Sequence, residues 1–290
     1  MEKPANPIDW AKAANLAESA ALEVGARIAT HISENKAHEI TFKGEIDITT
    51  EVDLWSERTI RMRLEKEFPE ALFIGEESSA ELLKQKQTSI EELVNNSRLA
   101  WIIDPIDGTN NFSNHIPHVA VSIALLEYGV PKVGIAYDPV RKEMFRAIQG
   151  QGTTLNGKTC APSTKNKLID AICGVSFPVD RAKRWDFYWS ALEPLVLNCR
   201  TARVLGSGVL NICWTACGRL DGVVEHNLKI WDLAAAVLIA QEAGCKVANS
   251  DTNEIDEKNQ PVNLFKRCLV VSGPNLFEPL YKMVSDSRKV

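Results

Sequence analysis

Two aspartates that follow an apolar run are the residues of this chain with the clearest capacity for chemistry. The run 99–103 (LAWII) leads into Asp104 and Asp107, which are three positions apart. Pro105 disfavours a helix at Asp104, so we expect the strand to stop there and both carboxylates to lie on the loop at its end. Carboxylates that converge resist ionisation unless a cation lies between them, and Mg²⁺ prefers oxygen ligands of this kind.

The two residues that follow these aspartates are suited to binding an anion. Gly108 lets the backbone approach a ligand closely, and the hydroxyl of Thr109 with the next amides could hold a phosphate at a helix start. Aspartate and glycine are also common in ordinary capped turns, so the segment by itself leaves both interpretations open.

Acidic residues also follow the preceding apolar run. The run 71–75 (ALFIG) ends at Glu76 and Glu77. Adjacent side chains on an extended backbone point to opposite sides, so we expect only one of the two to reach a given site. The start of a polar loop is the alternative interpretation.

Two more segments carry acids that the folded chain could bring to the same place. Asp232 stands where a helical pattern begins, so it is either an N-cap or a carboxylate that binds a metal or a hydroxyl. Both roles fit a position in the first turn. The polar segment 43–53 is either a loop that feeds a capped helix or a lid that brings Lys43 and Asp47 over the site, with Asp53 behind them.

Hydrophobic periodicity and turn residues predict the elements that position these side chains. Helices are predicted over 8–34, 50–68, 79–98, 183–197, 208–218, 231–243 and 275–285. Strands are predicted over 71–75, 99–103, 118–129, 131–139, 142–152, 170–176, 201–205, 221–225, 245–248 and 268–272. Thr50 and Asp53 suit a capping box, residues 36–47 read as a loop, and Asn156-Gly157 suits a hairpin turn.

The order of these elements predicts an α/β (α+β) fold in layers, because a largely antiparallel run of strands is followed by alternating strands and helices. We expect two halves, 1–150 and 151–290, that meet near residue 150. The N-terminal half carries most of the acidic motifs, and the C-terminal half carries Asp232.

Composition excludes several classes of protein. The 290 residues are 45% hydrophobic and 24% charged, which excludes a disordered chain, a fibrous repeat and a small disulfide scaffold. A formal net charge of −5 disfavours a protein built around non-specific nucleic-acid binding. We therefore expect no nucleic-acid partner.

Cysteine usage and the start of the chain indicate a cytoplasmic protein. The seven cysteines are scattered, and no further Cys or His pair completes a zinc site with Cys213 and Cys217. Reduced, buried thiols are therefore expected. The first residues do not form a signal peptide, and no apolar run is long enough to cross a bilayer, so we expect no membrane association.

Taken in order along the chain, these motifs resemble those of the inositol monophosphatase family. Glu-Glu follows one apolar strand, Asp-Pro-Ile-Asp-Gly-Thr-x-Asn-Phe follows the next, and Trp-Asp opens a late helix with Glu-Ala-Gly ten residues past Asp232. The likeness runs from about residue 10 to residue 285, and its Asp-Pro-Ile-Asp-Gly-Thr motif is highly specific. It implies the layered α-β-α-β-α sandwich shared by inositol monophosphatases and fructose-1,6-bisphosphatases.

The resemblance implies a role for each matching residue. Magnesium ligands are implied at Glu76, Asp104, Ile106 (through its carbonyl), Asp107 and Asp232. Catalytic roles in activating water are implied for Glu76, Thr109 and Asp53. Substrate contacts are implied for Asp107, Gly108, Thr109, Ser207, Glu225 and Asp232. A loop that closes the site is implied at Lys43 and Asp47, and a supporting acid at Glu77.

The resemblance also implies the reaction and the partners. Two or three Mg²⁺ ions would support in-line attack of water on a small phosphorylated polyol or sugar, without a covalent enzyme intermediate. Inositol 1-phosphate is the favoured substrate, because Glu225 can accept two hydrogen bonds from vicinal hydroxyls. Sensitivity to lithium and a homodimer are further implied traits.

Other functions stay open at this point. The metal motifs would serve a fructose-1,6-bisphosphatase, a histidinol-phosphate phosphatase or a nucleotide 3′-phosphatase equally well, and segment 225–230 should decide the preference. An alternative of another class is a transcription- or ribosome-associated binding protein, although the sequence has no arginine-rich tract to support it.

Overall fold

The computed structural model describes residues 7–36, 39–42, 48–177, 185–250 and 261–287. Its helices are α1 Trp10–Ser33, α2 Glu51–Glu67, α3 Ser79–Lys86, α4 Ile90–Asn96, α5 Thr109–Ser113, α6 Trp185–Asn198, α7 Gly208–Ala216, α8 Ile230–Glu242 and α9 Pro274–Ser287. Its first strands are β1 Ile40–Phe42, β2 Ile48–Thr50, β3 Leu72–Gly75, β4 Leu99–Asp107, β5 Ala120–Glu127, β6 Val130–Asp138 and β7 Glu143–Ile148. The others are β8 Thr153–Leu155, β9 Lys158–Thr159, β10 Ile172–Val175, β11 Thr201–Arg203, β12 Gly222–Glu225, β13 Lys246–Asn249 and β14 Leu269–Ser272.

Two large sheets and three helical layers build the molecule. A seven-stranded sheet runs in the order β3-β4-β5-β6-β7-β8-β9, and a five-stranded sheet runs in the order β11-β10-β12-β14-β13. Helices α1 and α2 cover the outer face of the large sheet, α7 and α8 lie between the sheets, and α6 and α9 cover the small sheet. The predicted α-β-α-β-α sandwich is therefore confirmed.

Alternating side chains on the central strands of the large sheet explain how two helical layers can pack on it. Trp101 and Ile103 of β4 face the core formed with α1 and α2, whereas Ala100 and Ile102 face the core formed with α7 and α8. Both cores are closed to water. The strand is thus buried on both faces, which is why it reads as a continuous apolar run.

Small residues let α8 approach the sheet closely. A Cβ at Gly134 of β6 would lie 2.8 Å from the carbonyl oxygen of Ala235, which is too close for any larger residue. The alanines of α8 (Ala234, Ala235 and Ala236) are fully buried. This close contact brings the first turn of α8 to the sheet that carries β4.

Most of the predicted elements are present, with these corrections. The single helix predicted over 79–98 is divided into α3 and α4, and Gln87 between them has a positive φ of 52°. The segment predicted as a loop over 36–47 contains β1, which pairs antiparallel with β2. Strand β4 continues to Asp107 instead of stopping at Asp104. The division into halves near residue 150 stays a prediction; the core between the sheets contains residues from both, such as Ile102 and Leu233.

Candidate metal centre

Strand β4 carries Asp104 and Asp107 within the strand, so the expected strand-end loop is wrong. Asp104 lies opposite Ser122 of β5, and the pairing of the two strands is irregular between the two aspartates. Pro105 falls in this bulge, where its missing N–H breaks no ladder hydrogen bond. The carboxylate of Asp104 accepts a hydrogen bond from the N–H of Ile106 at 3.1 Å.

The third carboxylate comes from the first turn of α8. Lys229 is the N-cap of this helix and Asp232 is its third residue, so the N-cap role is wrong and the first-turn position is confirmed. The carboxylate of Asp232 accepts a hydrogen bond from the backbone N–H of Lys229 at 2.6 Å. The hydroxyl of Ser122 donates to the carbonyl of Trp231 at 3.1 Å, which fixes the start of α8 beside Asp104.

These three carboxylates form one cluster. Asp104, Asp107 and Asp232 each offer an oxygen, and the three oxygens lie within 4.8 Å of one another. Asp104 is 1% exposed and Asp107 is 8% exposed. The predicted convergence of residues that are far apart in the sequence is therefore present in the structure.

Burial and mutual repulsion disfavour the charged form of the cluster. Burial raises the pKa of Asp104 well above its ordinary value, and the nearby charges of Glu76, Asp107 and Asp232 add to the rise. Burial likewise raises the pKa of Asp107 to about 7 and that of Asp232 to about 6. A divalent cation would relieve this repulsion, and three carboxylates are the hard oxygen donors that such a cation requires.

Glu76 lies beside this cluster at the end of β3. Strand β3 runs parallel to β4, and the N–H of Glu76 donates to the carbonyl of Ile103 at 3.1 Å. Glu76 is not one of the three residues whose oxygens lie within 4.8 Å, but its charge raises the pKa of Asp104. The structure therefore brings it to the edge of the cluster.

The predicted pair of Thr109 and Asp53 is also brought together. The hydroxyl of Thr109 lies 3.4 Å from an oxygen of Asp53 and 3.1 Å from the carbonyl oxygen of Ile106. Asp53 is fully buried, and its other oxygen accepts a hydrogen bond from the N–H of Thr50 at 2.8 Å and one from the Thr50 hydroxyl. The predicted capping box thus fixes Asp53 at the start of α2.

The turn before α7 holds Asp107. The hydroxyl of Ser207 and the N–H of Val209, the latter at 2.8 Å, donate to the same carboxylate oxygen of Asp107. Ser207 also caps α7. Gly108 has a φ of 95°, and a Cβ there would lie 3.0 Å from the carbonyl oxygen of Gly206, so the close approach of the two turns requires glycine.

An asparagine of the motif joins these two turns. The amide of Asn111 donates to the carbonyl oxygens of His118 and Leu205, both at 2.8 Å. Asn111 belongs to the Asp-Pro-Ile-Asp-Gly-Thr-x-Asn-Phe motif, but the motif alone predicts no role for it. Its buried amide fixes the segment after β4 to the segment before α7.

Glu225 lies at the end of β12 and is fully buried. One of its oxygens accepts a hydrogen bond from the amide of Asn211 at 2.8 Å. Burial raises its pKa to about 8, and the charges of Asp107 and Asp232 add to the rise. The residue therefore lies near the carboxylate cluster, as its predicted substrate contact requires.

Glu57 is a buried acid that the sequence analysis missed. It lies one turn after Asp53 on the buried face of α2 and is 6% exposed. Its carboxylate accepts hydrogen bonds from the N–H of Glu77 at 2.7 Å and of Ser78 at 3.1 Å. It thereby fixes the backbone that follows Glu76. The four-residue spacing from Asp53 was the only signal in the sequence.

The space beside Glu57 is limited by a glycine. A Cβ at Gly75 would lie 2.2 to 2.4 Å from the carboxylate atoms of Glu57. The end of β3 can therefore pass over this carboxylate only because Gly75 has no side chain.

Lys43 and Asp47 lie outside the described residues. All seven cysteines are free thiols. Within the described ranges, the only group of three or more candidate metal-binding side chains is the aspartate cluster, and no helix has the length and apolar character needed to cross a membrane.

A family comparison agrees with this geometry. The model of the inositol monophosphatase family matches residues 9–288. The chain belongs to the inositol monophosphatase family. Members of this family act on small phosphorylated substrates such as inositol monophosphate. The family and the aspartate cluster support a phosphatase that binds metal.

Similar proteins carry two different descriptions. Nus factor SuhB of Pasteurella multocida is 35% identical over 230 residues, which are 79% of this chain and 82% of the relative. A similar solved structure is that of the extragenic suppressor protein suhB from Bartonella henselae, with a TM-score of 0.79 and 28% sequence identity. The match covers 94% of this chain and 98% of the suhB chain. The inositol monophosphatase from Anabaena has a TM-score of 0.77 at 26% identity and covers 96% of both chains.

Metal binding should depend on pH in a definite direction. The carboxyl groups of Asp107 and Asp232, with a pKa of about 7 and about 6, take up protons as the pH falls through this range. These protons compete with the cation for the carboxylate oxygens. We expect the affinity for Mg²⁺ to fall by about tenfold per pH unit for each proton displaced.

The melting temperature, measured with and without Mg²⁺ at several pH values, tests the competition between protons and the cation. Raised carboxylate pKa values mean that the folded protein binds more protons than the unfolded chain, so the stability without metal should fall as the pH rises from about 4 to about 7. The increase in melting temperature caused by Mg²⁺ should grow over the same range. An equal increase at pH 5.5 and pH 8 would contradict the expected competition.

Glu57 should affect catalysis through the backbone that it holds. Glu57→Gln keeps one carbonyl acceptor but loses the other, so we expect kcat to fall about 10- to 100-fold, as is typical for groups that orient metal ligands. The KM should change little. Glu81→Gln, an exposed acid on the neighbouring helix α3, is the matched control and should leave both constants unchanged. A normal kcat in Glu57→Gln would remove the positioning role.

Proposed function

We propose that this chain hydrolyses a small phosphate monoester with the help of Mg²⁺, and that inositol 1-phosphate is its preferred substrate. One observation supports the proposal most strongly: the oxygens of Asp104, Asp107 and Asp232 lie within 4.8 Å of one another, and Asp104 and Asp107 are buried. Burial raises the pKa of all three carboxyl groups, and a divalent cation among them would offset this effect. Membership of the family supports the reaction class.

The residues that would hold the cation are those at the ends of β3 and β4 and at the start of α8. They are Glu76, Asp104, Asp107, Asp232 and the carbonyl of Ile106. Mg²⁺, when bound, neutralises phosphoryl charge and lowers the pKa of water. The number of ions and sensitivity to lithium stay predictions.

The chain's own residues provide a path for the proton of the attacking water. Asp53 uses its Oδ2 atom to accept the hydrogen bond from the N–H of Thr50, whereas its Oδ1 atom lies near the Thr109 hydroxyl. The Oδ1 atom can therefore accept the proton of the Thr109 hydroxyl. Thr109 can then take a proton from water on its own oxygen. Glu76, beside Asp104, is a second acceptor. No cysteine, serine or histidine of the motifs is needed as a nucleophile.

Substrate contacts follow from the same arrangement. The backbone around Gly108 and Thr109 faces the turn that contains Ser207, and we place the phosphate between this backbone and the carboxylate cluster. Ser207 already donates to Asp107, so its contact with substrate would use its oxygen as an acceptor. Glu225 is proposed to accept hydrogen bonds from the hydroxyls of a polyol.

We also propose that the chain forms a homodimer. The outer side of α6 supports this, because Trp185 and Trp189 stack with ring centroids 5.5 Å apart and are 45% and 43% exposed. Val196 and Leu197 are exposed on the same helix. Light scattering after size exclusion should give twice the 32.1 kDa of one chain. The mass of one chain at micromolar concentration would contradict the dimer.

A second candidate function has one observation in its favour. Relatives that are 35% identical carry the name Nus factor SuhB, which agrees with a transcription- or ribosome-associated binding role. Capture of RNA polymerase by both the native chain and Asp107→Asn, without phosphate release by either, would favour this role over hydrolysis. A cytoplasmic location and the absence of a nucleic-acid partner stay predictions.

Release of phosphate from a panel of substrates tests the proposed hydrolysis. With Mg²⁺ we expect the highest kcat/KM for inositol 1-phosphate, ahead of fructose 1,6-bisphosphate, histidinol phosphate and adenosine 3′,5′-bisphosphate. Asp107→Asn removes a charge from the cluster and should lower kcat by more than about 100-fold, because even groups behind the ligands contribute 10- to 100-fold. Its melting temperature without metal should not fall, because the substitution removes a buried carboxylate that Asp232 repels.

Two outcomes would contradict the proposal. Phosphate release by Asp107→Asn at the native rate would exclude the cluster as the active site. Absence of phosphate release from every substrate would exclude hydrolysis of these esters. A preference for another substrate of the panel would correct the substrate and leave the reaction class in place.

A further inference from the structure

Two buried cysteines outside the carboxylate cluster face each other. The thiol of Cys173 donates to the sulfur of Cys199, and the two sulfur atoms lie 3.7 Å apart. Cys173 is fully buried and Cys199 is 5% exposed. Both are free thiols in the structure.

The fold brings these thiols together from separate elements. Cys173 is the second residue of β10, and Cys199 directly follows α6, where its N–H donates to the carbonyl of Leu195 at 3.0 Å. Strand β10 pairs in parallel with β11, which begins two residues after Cys199. The thiol pair therefore lies where the end of α6 turns back to the edge of the small sheet.

We propose that Cys173 and Cys199 are a modification site, at which a peroxide converts the two thiols into a disulfide that joins β10 to the end of α6. The contact between the sulfur atoms carries this proposal. They need to approach by less than 2 Å to reach the bonding distance of about 2.05 Å, and both lie on backbone that is already paired or packed. The proposal does not depend on the phosphatase activity.

Cys199 is the thiol that reacts first. It is the more exposed of the two, and the hydrogen bond donated by Cys173 lowers its pKa, which favours the nucleophilic thiolate. The charged residues near the thiol pair are Asp221 and Lys165. Because these two form an ion pair at 2.9 Å, they add little net charge beside the thiols.

The reaction balances in two steps. The sulfur of Cys199 attacks one oxygen of hydrogen peroxide, so that an S–O bond forms and the O–O bond breaks. The departing hydroxide takes up the proton that the Cys199 thiol released and leaves as water. The sulfur of Cys173 then attacks the sulfur of Cys199, the S–S bond forms and the S–O bond breaks. The second hydroxide leaves as water with the proton of Cys173. Two thiols and one peroxide thus give one disulfide and two waters.

Peptide mapping of the folded protein tests the proposal. After treatment with hydrogen peroxide, alkylation of remaining thiols and digestion with trypsin without reductant, residues 168–181 and 185–200 should appear as one linked species. Each of these peptides contains a single cysteine, Cys173 or Cys199, so the linkage is unambiguous. Dithiothreitol should separate the two peptides and restore both thiols.

Matched variants provide the control. Cys199→Ala should abolish the linked species, whereas Cys160→Ala, which removes a more exposed thiol in the peptide 159–165, should leave it unchanged. If Cys199→Ala fails to fold, the linked peptides of the native chain and their separation by dithiothreitol still test the proposal. Two outcomes would overturn the proposal. In the first, peroxide oxidises Cys160 or Cys217 while Cys173 and Cys199 both remain reduced and are alkylated. In the second, Cys173 or Cys199 forms a disulfide with another cysteine of the chain.

Discussion

The mutual repulsion of three clustered carboxylates, two of them on buried residues, is the constraint on which the rest of the site depends. Asp104, Asp107 and Asp232 lie together in a place where burial already disfavours their charge. The fold holds them there because each accepts a hydrogen bond from a backbone N–H: from Ile106, Val209 and Lys229, respectively. The protein thus maintains an unfavourable arrangement that a cation would make favourable.

Maintaining that arrangement requires parts of the chain that are far apart in sequence. The contact of α8 with β6 at Gly134 and the hydrogen bond from Ser122 to Trp231 bring Asp232 to β4. Asn111 fixes the segment after β4 to the turn that holds Asp107. Because these contacts involve small residues and backbone groups, the position of the cluster is set by the packing of layers rather than by the acids themselves.

The sequence predicted those features that are local and missed those that depend on distant backbone. The capping box of Thr50 and Asp53 is a local pattern, and the structure contains it. The continuation of β4 past Pro105 was missed because a bulge depends on the partner strand. Glu57 was missed because its partners are backbone N–H groups twenty residues away. The convergence of Asp232 with Asp104 was expected only from the family resemblance.

The most direct measurement of the central claim is a crystal structure grown with Mn²⁺, an oxygen-seeking stand-in for Mg²⁺ whose anomalous scattering identifies its position. We expect an anomalous peak in contact with carboxylate oxygens of Asp104, Asp107 and Asp232, at distances of about 2.0 to 2.3 Å. A fully occupied Mn²⁺ site elsewhere in the molecule, with none among these three carboxylates, would contradict the account.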